Sequence, residues 1–260
     1  MNPSSANSPP SPPAASVPSA IRLSVIVPFA PDEVAGDTLL ARLAVLPASC
    51  EVIVVCASAK PCRTPPATQG ADFREYLTQP GRARQMNAGA AAARGQWLWF
   101  LHADSRLTDA TLATLFAFLT NGKDALGYFD LRFDDGPRLA RMNAWCANRR
   151  ARWLGLPFGD QGLLLPAAWF DRLGRYDEIA AYGEDHLLVW RARAMGLPLK
   201  RLAAPLGTSA RKYAAHGWWQ TTRRHVWLTI AQAWPQWRAL RRQRHRDKLA
   251  RRHALTEPGQ

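Results

Sequence analysis

Gln96-Trp-Leu-Trp-Phe-Leu101, running directly into His102-Ala-Asp-Ser-Arg106, is an uncharged and largely apolar run followed by a polar turn. A run this short, with Gly95 before it and a polar turn after it, predicts a fully buried strand rather than a helix. In open α/β sheets ligands gather outside the carboxyl ends of the strands. The turn at 102–106 is therefore a place to look for function.

Working toward the N-terminus, the alanine-rich stretch from about Arg82 to Arg94 reads as a helix ended by Gly95, preceded by a strand near Phe73 to Leu77. Before a proline-rich loop, Lys60 to Gln69, lie two β-branched runs, Arg22-Leu-Ser-Val-Ile-Val-Pro28, stopped by proline, and Glu51-Val-Ile-Val-Val-Cys56. An apolar-periodic helix, about Thr38 to Leu46, separates them, so the chain opens as a parallel β-α-β unit. On the C-terminal side the pattern predicts a helix near Asp109 to Leu119, a strand near Gly127 to Phe133, and a helix near Pro137 to Trp153 interrupted by Gly155 and Pro157. The turn Gly159-Asp-Gln-Gly162, the run Leu163 to Leu165 and a further helix follow. Glu184 to Met195 reads as an amphipathic helix with Leu187, Leu188, Trp190 and Ala194 inward, and the alternation persists to about Leu206.

With 260 residues, 47% of them hydrophobic, the chain can bury one sizeable core. Residues 1–20 hold six prolines and six serines, a composition that cannot offset ordering entropy and predicts a disordered tail. The domain proper is expected over 21–215, with a basic helical arm, 216–260, after it. The net charge is +14, and 238–253 carries eight Lys or Arg against Asp247 alone. Such charge suits a phosphate-bearing substrate, an anionic membrane surface or nucleic acid. No recognised nucleic-acid module accompanies it, so no specific nucleic acid is expected. In the arm, Trp218, Trp219, Trp227, Trp234 and Trp237 stand among Arg223, Arg224 and the terminal cations. They suit an interfacial helix on anionic lipid, or equally a set of indoles capping the core beside solvated arginines.

Cys50, Cys56, Cys62 and Cys146 show no C-x-x-C spacing and read as free thiols in a reducing compartment. Met1 to Ala20 has neither the cationic start nor the apolar stretch of a secretory signal, and no apolar run is long enough to span a bilayer. A cytoplasmic location follows as the expectation, peripheral at the cytoplasmic membrane face if the arm meets lipid.

Taken in order, Gly81-Arg-Ala-Arg-Gln-Met-Asn-Ala-Gly89, Arg94-Gly95, Phe100-Leu-His-Ala-Asp104, Gly159-Asp-Gln-Gly162 and Gly183-Glu-Asp185 resemble the motifs of family 2 glycosyltransferases of the GT-A fold, over roughly 21–215. The resemblance implies an α/β fold with a mostly parallel central sheet flanked by helices. It implies a nucleoside-diphosphate sugar donor, Mn²⁺ or Mg²⁺ on the diphosphate, and inverting transfer to a hydroxyl acceptor, lipid-linked or glycan. Asp104 matches the metal-binding carboxylate of the family's Asp-x-Asp motif; His102 replaces the first Asp and could bind Mn²⁺, contact the donor ribose or simply pack. Arg82 and Arg84 open a helix and could meet the diphosphate together with its amides. Asn87, Ala88 and Gly89 match the positions where small residues let that helix lie close to the donor.

Asp185 matches the base that takes the acceptor proton, with Glu184 supporting it or binding acceptor; both are also ordinary residues for a helix start. Asp160 and Gln161 are candidates for positioning acceptor or donor sugar, and Asp160 is the reserve base. Arg211, in Thr208-Ser-Ala-Arg-Lys212, would reach the diphosphate from a closing loop, and His216 could add a metal ligand. Two stretches depart from the family. Val55-Cys-Ala-Ser-Ala-Lys60 lacks the acidic residue that follows the second strand, and Pro28-Phe-Ala-Pro-Asp32 lacks the customary Thr and Asn, with Asp32 standing in for the acidic one. Both lie in the nucleotide pocket and leave the base of the donor open. The alternative is a non-catalytic relative that keeps the fold and binds a membrane surface or a partner.

Overall fold

The computed structural model describes residues 21–30, 33, 35–58, 67–68, 70–136, 138–180, 182–210, 223, 231 and 233–242. They form, in chain order, β1 (Leu23–Phe29), α1 (Asp37–Leu43), β2 (Cys50–Cys56), β3 (Asp72–Leu77), α2 (Arg82–Ala92), β4 (Trp97–Phe100), α3 (Asp109–Thr120), β5 (Leu126–Phe133) and α4 (Arg138–Arg149). A π-helical turn (Arg150–Leu154) prolongs α4, and a 3-10 turn (Gly159–Gln161), β6 (Leu164–Pro166), α5 (Ala167–Arg172), α6 (Glu184–Ala194) and β7 (Leu199–Thr208) follow. The strands make one sheet in the order β3-β2-β1-β4-β6-β5-β7. All pairings are parallel except those of β6, which runs antiparallel to β4 and β5.

The period of two along β4 explains why Trp-Leu-Trp-Phe is uniformly apolar. Trp97 and Trp99 enter the core under α1 and α3 with Leu43 and Leu115, while Leu98 and Phe100 enter the core under α2, α5 and α6 with Met86, Phe170 and Leu188. Both faces of the strand are covered, so no polar alternation survives.

Four local expectations are corrected. Pro28 does not stop β1, which continues to Phe29. The Ile26 carbonyl accepts from the Leu101 N–H on the β4 side; two residues on, Pro28 faces the same side, where β4 has ended, so its missing N–H breaks no ladder bond. Gly95 does not end α2, which finishes at Ala92. It lies so close to β1 that a Cβ there would stand 2.6 Å from the Ser24 nitrogen. The helix α6 is not amphipathic. Leu188, Val189, Trp190 and Ala192 are buried along with Glu184, Asp185 and His186, whereas Leu187 and Ala194 are only half-buried. Finally, Cys50 and Cys146 are free thiols but Cys56 is disulfide-bonded, to a partner outside the described residues. That removes the thiol argument for a reducing compartment.

Residues 233–242 are helical, and Leu240 packs into the core on the α2, α5 and α6 side. Trp234 and Trp237 stack on each other at 5.6 Å and remain exposed, with the guanidinium groups of Arg238 and Arg241 over their rings. In this part of the arm a leucine, not an indole, caps the core. Trp218, Trp219, Trp227, Arg224 and the tail 1–20 lie outside the described residues. No helix among the described residues is long and apolar enough to cross a membrane.

Candidate active site

The carboxyl ends of β1, β2 and β4 share one edge of the sheet, and Arg82 organises it. Gly81, at φ +142°, turns the chain from β3 into α2 in a conformation that favours glycine, which puts Arg82 at the first position of the helix. Its Nη2 donates to His102 Nε2 on the turn after β4 and, at 3.3 Å, to Asp185 Oδ2 on α6. Its Nε lies 3.3 Å from Glu184 Oε1. Burial works against the charge of Arg82, and the carboxylates of Asp185 and Glu184 outweigh it, so the guanidinium is held above its ordinary pKa. Because His102 Nε2 accepts from Arg82, its ring proton is assigned to Nδ1, and the Nε2 lone pair expected for a metal ligand is already engaged.

Gly159 closes the cluster from the other side. Its N–H donates to Asp185 Oδ2, and a Cβ on it would fall 2.4 Å from that oxygen, 2.5 Å from Arg82 Nη2 and 3.1 Å from His102 Nε2. Only glycine lets the backbone come this near all three side chains. The next residue, Asp160, is half-buried, with its Oδ1 enclosed and without a hydrogen-bond partner. Burial raises its pKa, Asp185 and Asp104 push the same way, and Arg150 and Arg82 only partly counter them. Arg150 lies 3.5 Å over the Phe158 ring and donates from Nε to the Leu156 carbonyl, so this cation is fixed just outside the turn.

Asp104, on the His102–Arg106 turn, is half-buried and makes no hydrogen bond or ion pair among the described residues. Among those residues no three His, Cys, Asp or Glu side chains converge into a ready cation cage. A cation carried on a diphosphate needs only one or two protein carboxylates. Asp104 fits that lesser demand.

Other expected site residues make contacts within the scaffold. Arg84 stands two positions, about 200°, round the helix from Arg82 and bonds Gln79 and Glu178. Asn87 clamps a loop: its amide donates to the Tyr176 carbonyl and to Glu178, and its Oδ1 accepts from the Tyr176 N–H. Gly89 brings α2 close to the sheet, since a Cβ there would lie 2.6 Å from Ile26 and 3.0 Å from Val55. Gln161 is fully buried, its amide donating to the Phe129 carbonyl at 3.0 Å and to Asn148, its Oε1 accepting from the Phe158 N–H. It pegs the Gly159 turn to β5 and α4. Asp32, Arg211 and His216 lie outside the described residues.

Three positioning residues escaped sequence reading. Buried Gln85 donates to the carbonyls of Phe29 and Val55, joining the ends of β1 and β2 beside the site. Tyr176 packs its ring on Phe100 and Phe170, and burial, with Asp185 nearby, holds its hydroxyl well above the usual range. His186 accepts from Trp190 Nε1 at 3.1 Å and meets Phe158 edge-on, backing the turn that carries Asp160. Only the polar Gln85 within an alanine-rich helix offered a signal.

No curated protein matches the chain in sequence. Among solved structures, residues 1–349 of S. aureus TarS superimpose with a TM-score of 0.56 at 18% identity, over 72% of this chain and 60% of that one. The same segment in complex with UDP gives a TM-score of 0.55 at 17% identity, over 73% of this chain and 60% of that one. Its complex with UDP-GlcNAc gives 0.54 at 19%, over 73% and 59%. The chain spans 37% of the longer S. aureus TarS structure. These likenesses establish a GT-A-like fold. The model of the family described as Glycosyl transferase family 2 matches residues 36–172, more than half of the 260, and the chain belongs to that family.

Proposed function

We propose that the chain transfers a sugar, with inversion, from a nucleoside-diphosphate sugar to a hydroxyl acceptor, glycan or lipid-linked. The observation that carries this reading is the meeting of Arg82, His102, Glu184 and Asp185 at the carboxyl edge of the sheet, with Asp104 uncommitted beside them. The S. aureus TarS complexes with UDP and UDP-GlcNAc, which share the fold, support the donor class.

Arg82 and the free amides at the start of α2 address the diphosphate. Glu184, His102 and Asp185 hold the guanidinium in place before the donor arrives, so little ordering is left for binding. Asp185 takes the acceptor proton as that oxygen attacks the anomeric carbon, and its carboxylate is oriented by the Gly159 N–H and Arg82. When bound, Mn²⁺ or Mg²⁺ neutralises the departing diphosphate, and Asp104 is the residue to hold it. The exposed Trp234 and Trp237 with their stacked arginines support an anionic membrane surface as a further partner, at the cytoplasmic face. One observation favours Asp160 as the base instead: its enclosed, unpartnered Oδ1 and raised pKa give it proton affinity that no neighbour uses.

The first test is titration of the full chain with UDP and with GDP, each with Mn²⁺ or EDTA, followed by tryptophan fluorescence, for wild type and Asp104→Ala. Saturable, cation-dependent binding that the variant loses is expected. Absence of nucleotide binding under every condition would transfer the reading to the non-catalytic relative. Once a donor is known, loss of turnover in Asp185→Asn with retention in Asp160→Asn supports Asp185 as base, and the reverse pattern assigns Asp160.

A further inference from the structure

The rod formed by α4 and its π-helical turn is built inside out. Its inner side is lined by buried alanines, Ala140, Ala144, Ala147 and Ala151, and by Asn148, which binds the N–H and the carbonyl of Leu131. Its outer side exposes Leu139, Met142, Trp145, Trp153 and Leu154, with Trp145 at 58% and Trp153 at 70% accessibility. Residues 139, 142 and 145 follow the helical period. In a plain α-helix Trp153 would stand about 80° round from Trp145. The π-helical turn advances less per residue and swings it back toward the same side, where the Arg149 guanidinium lies 4.8 Å from one ring centroid and 5.6 Å from the other. Large apolar side chains outside and alanines inside are the reverse of what folding alone selects.

Charge decides what covers this face. Between 138 and 154 the chain has no acidic residue, and Arg141, Arg149 and Arg152 are exposed. A two-fold contact between copies would set this cationic face against itself. An anionic bilayer accepts both features, the indoles at headgroup depth and the arginines on lipid phosphates. We propose that the outer face of α4 and its π-helical turn is a docking surface for anionic membranes, separate from the C-terminal helix. On its inner side the same rod holds the candidate site, through Asn148 bonded to Gln161 and Arg150 stacked on Phe158 beside Asp160. Docking therefore holds the Gly159–Gln161 turn about one helix diameter, ~10 Å, from the bilayer, which suits a membrane-borne acceptor; this last step rests on the transferase reading, the docking does not.

The test is co-sedimentation of the full chain with vesicles of phosphatidylcholine alone or containing about 30% phosphatidylglycerol, at roughly 0.15 M salt. The expected result is binding to the anionic vesicles that falls roughly 100-fold in Trp145→Glu/Trp153→Glu, about tenfold per indole, and persists in Trp234→Ala/Trp237→Ala. Circular dichroism and thermal unfolding of the same samples report whether the fold survives, UDP affinity is measured beside them, and Trp145→Ala/Trp153→Ala replaces the glutamate pair if the fold does not survive. The proposal is overturned if the wild type ignores anionic vesicles, if the α4 variant binds them within about twofold of wild type, or if that substitution converts a dimer into a monomer. Vesicle binding without any UDP binding would remove the transferase reading and leave the docking face standing.

Discussion

Replacing Gly159 by alanine isolates the crowding at the centre of the site. Gly159 needs no left-handed φ, so the added methyl acts through space alone. That methyl would sit 2.4 Å from Asp185 Oδ2 and 2.5 Å from Arg82 Nη2, about 1 Å inside ordinary contact. The turn must retreat, which breaks the Gly159 N–H bond to Asp185, or Arg82 must swing away from the proposed diphosphate position. Losing one charge-assisted hydrogen bond to the diphosphate costs about 1.5–3 kcal/mol, a rise in Kd for UDP of roughly 10- to 100-fold. Overpacking adds ~1–3 kcal/mol of lost stability. The assay is fluorescence titration with UDP and Mn²⁺, alongside thermal unfolding, with Gly122→Ala as control. Gly122 has φ +62° and nothing within 4 Å of its would-be Cβ, so that change strains the backbone without touching the site and is expected to lower Tm but leave Kd alone. UDP binding by Gly159→Ala within about twofold of wild type would refute the assignment of Arg82 and Asp185 to one binding centre.

At the opposite edge of the sheet, buried Glu51 accepts from Ser24 Oγ, Arg74 Nη2 and both the backbone and side chain of Arg94. Burial would raise its pKa, but the Ser24 and Arg94 bonds and Arg74 outweigh it and lower the value. Glu51→Gln is expected to cost roughly 3 kcal/mol at neutral pH. A lowered folded pKa stabilises above the unfolded value and is lost as pH falls through the folded one, so the gap to wild type should close in acid; a gap constant with pH in denaturant melts would refute the network. Asp160 has the opposite sign. Its raised pKa contributes stability only below the unfolded value, and that is lost as pH rises through the folded one. Asp160→Asn should therefore raise Tm at neutral pH, with a difference that vanishes in acid, and a lower Tm at pH 7 would contradict the enclosed, unpartnered oxygen.

The layered α/β architecture was legible in the chain because burial on both faces of β4 leaves a signature that needs no tertiary knowledge: five consecutive large apolar residues, Trp97 to Leu101, running into a polar turn. The same holds for β1 and β2, and for the helix over 82–92. Their patterns are local, and the family that the ordered motifs resembled is the one whose model matches residues 36–172. What the chain did not show was whatever required knowing neighbours. Pro28 looked like a strand end because its missing N–H matters only where a partner strand continues. Arg82 and Arg84 looked equivalent because sequence spacing does not show which side of α2 meets α6. The scaffold bonds of Asn87 and Gln161 were invisible for the same reason, since their partners, the Tyr176 backbone and the Phe129 carbonyl, lie 89 and 32 residues away.

Sequence by itself determined the order of elements, which follows from period and glycine placement read along the chain, and its ordered motifs resembled one family and drew attention to one edge of the sheet. Tertiary structure alone decided that Arg82, His102, Asp185 and Gly159 meet at one point, that Asp160 keeps an unused oxygen, and that α4 turns its large apolar side outward. Hydrogen bonds and burial are pairwise quantities between residues up to 103 apart in the chain, and a linear pattern carries no record of which pairs are made.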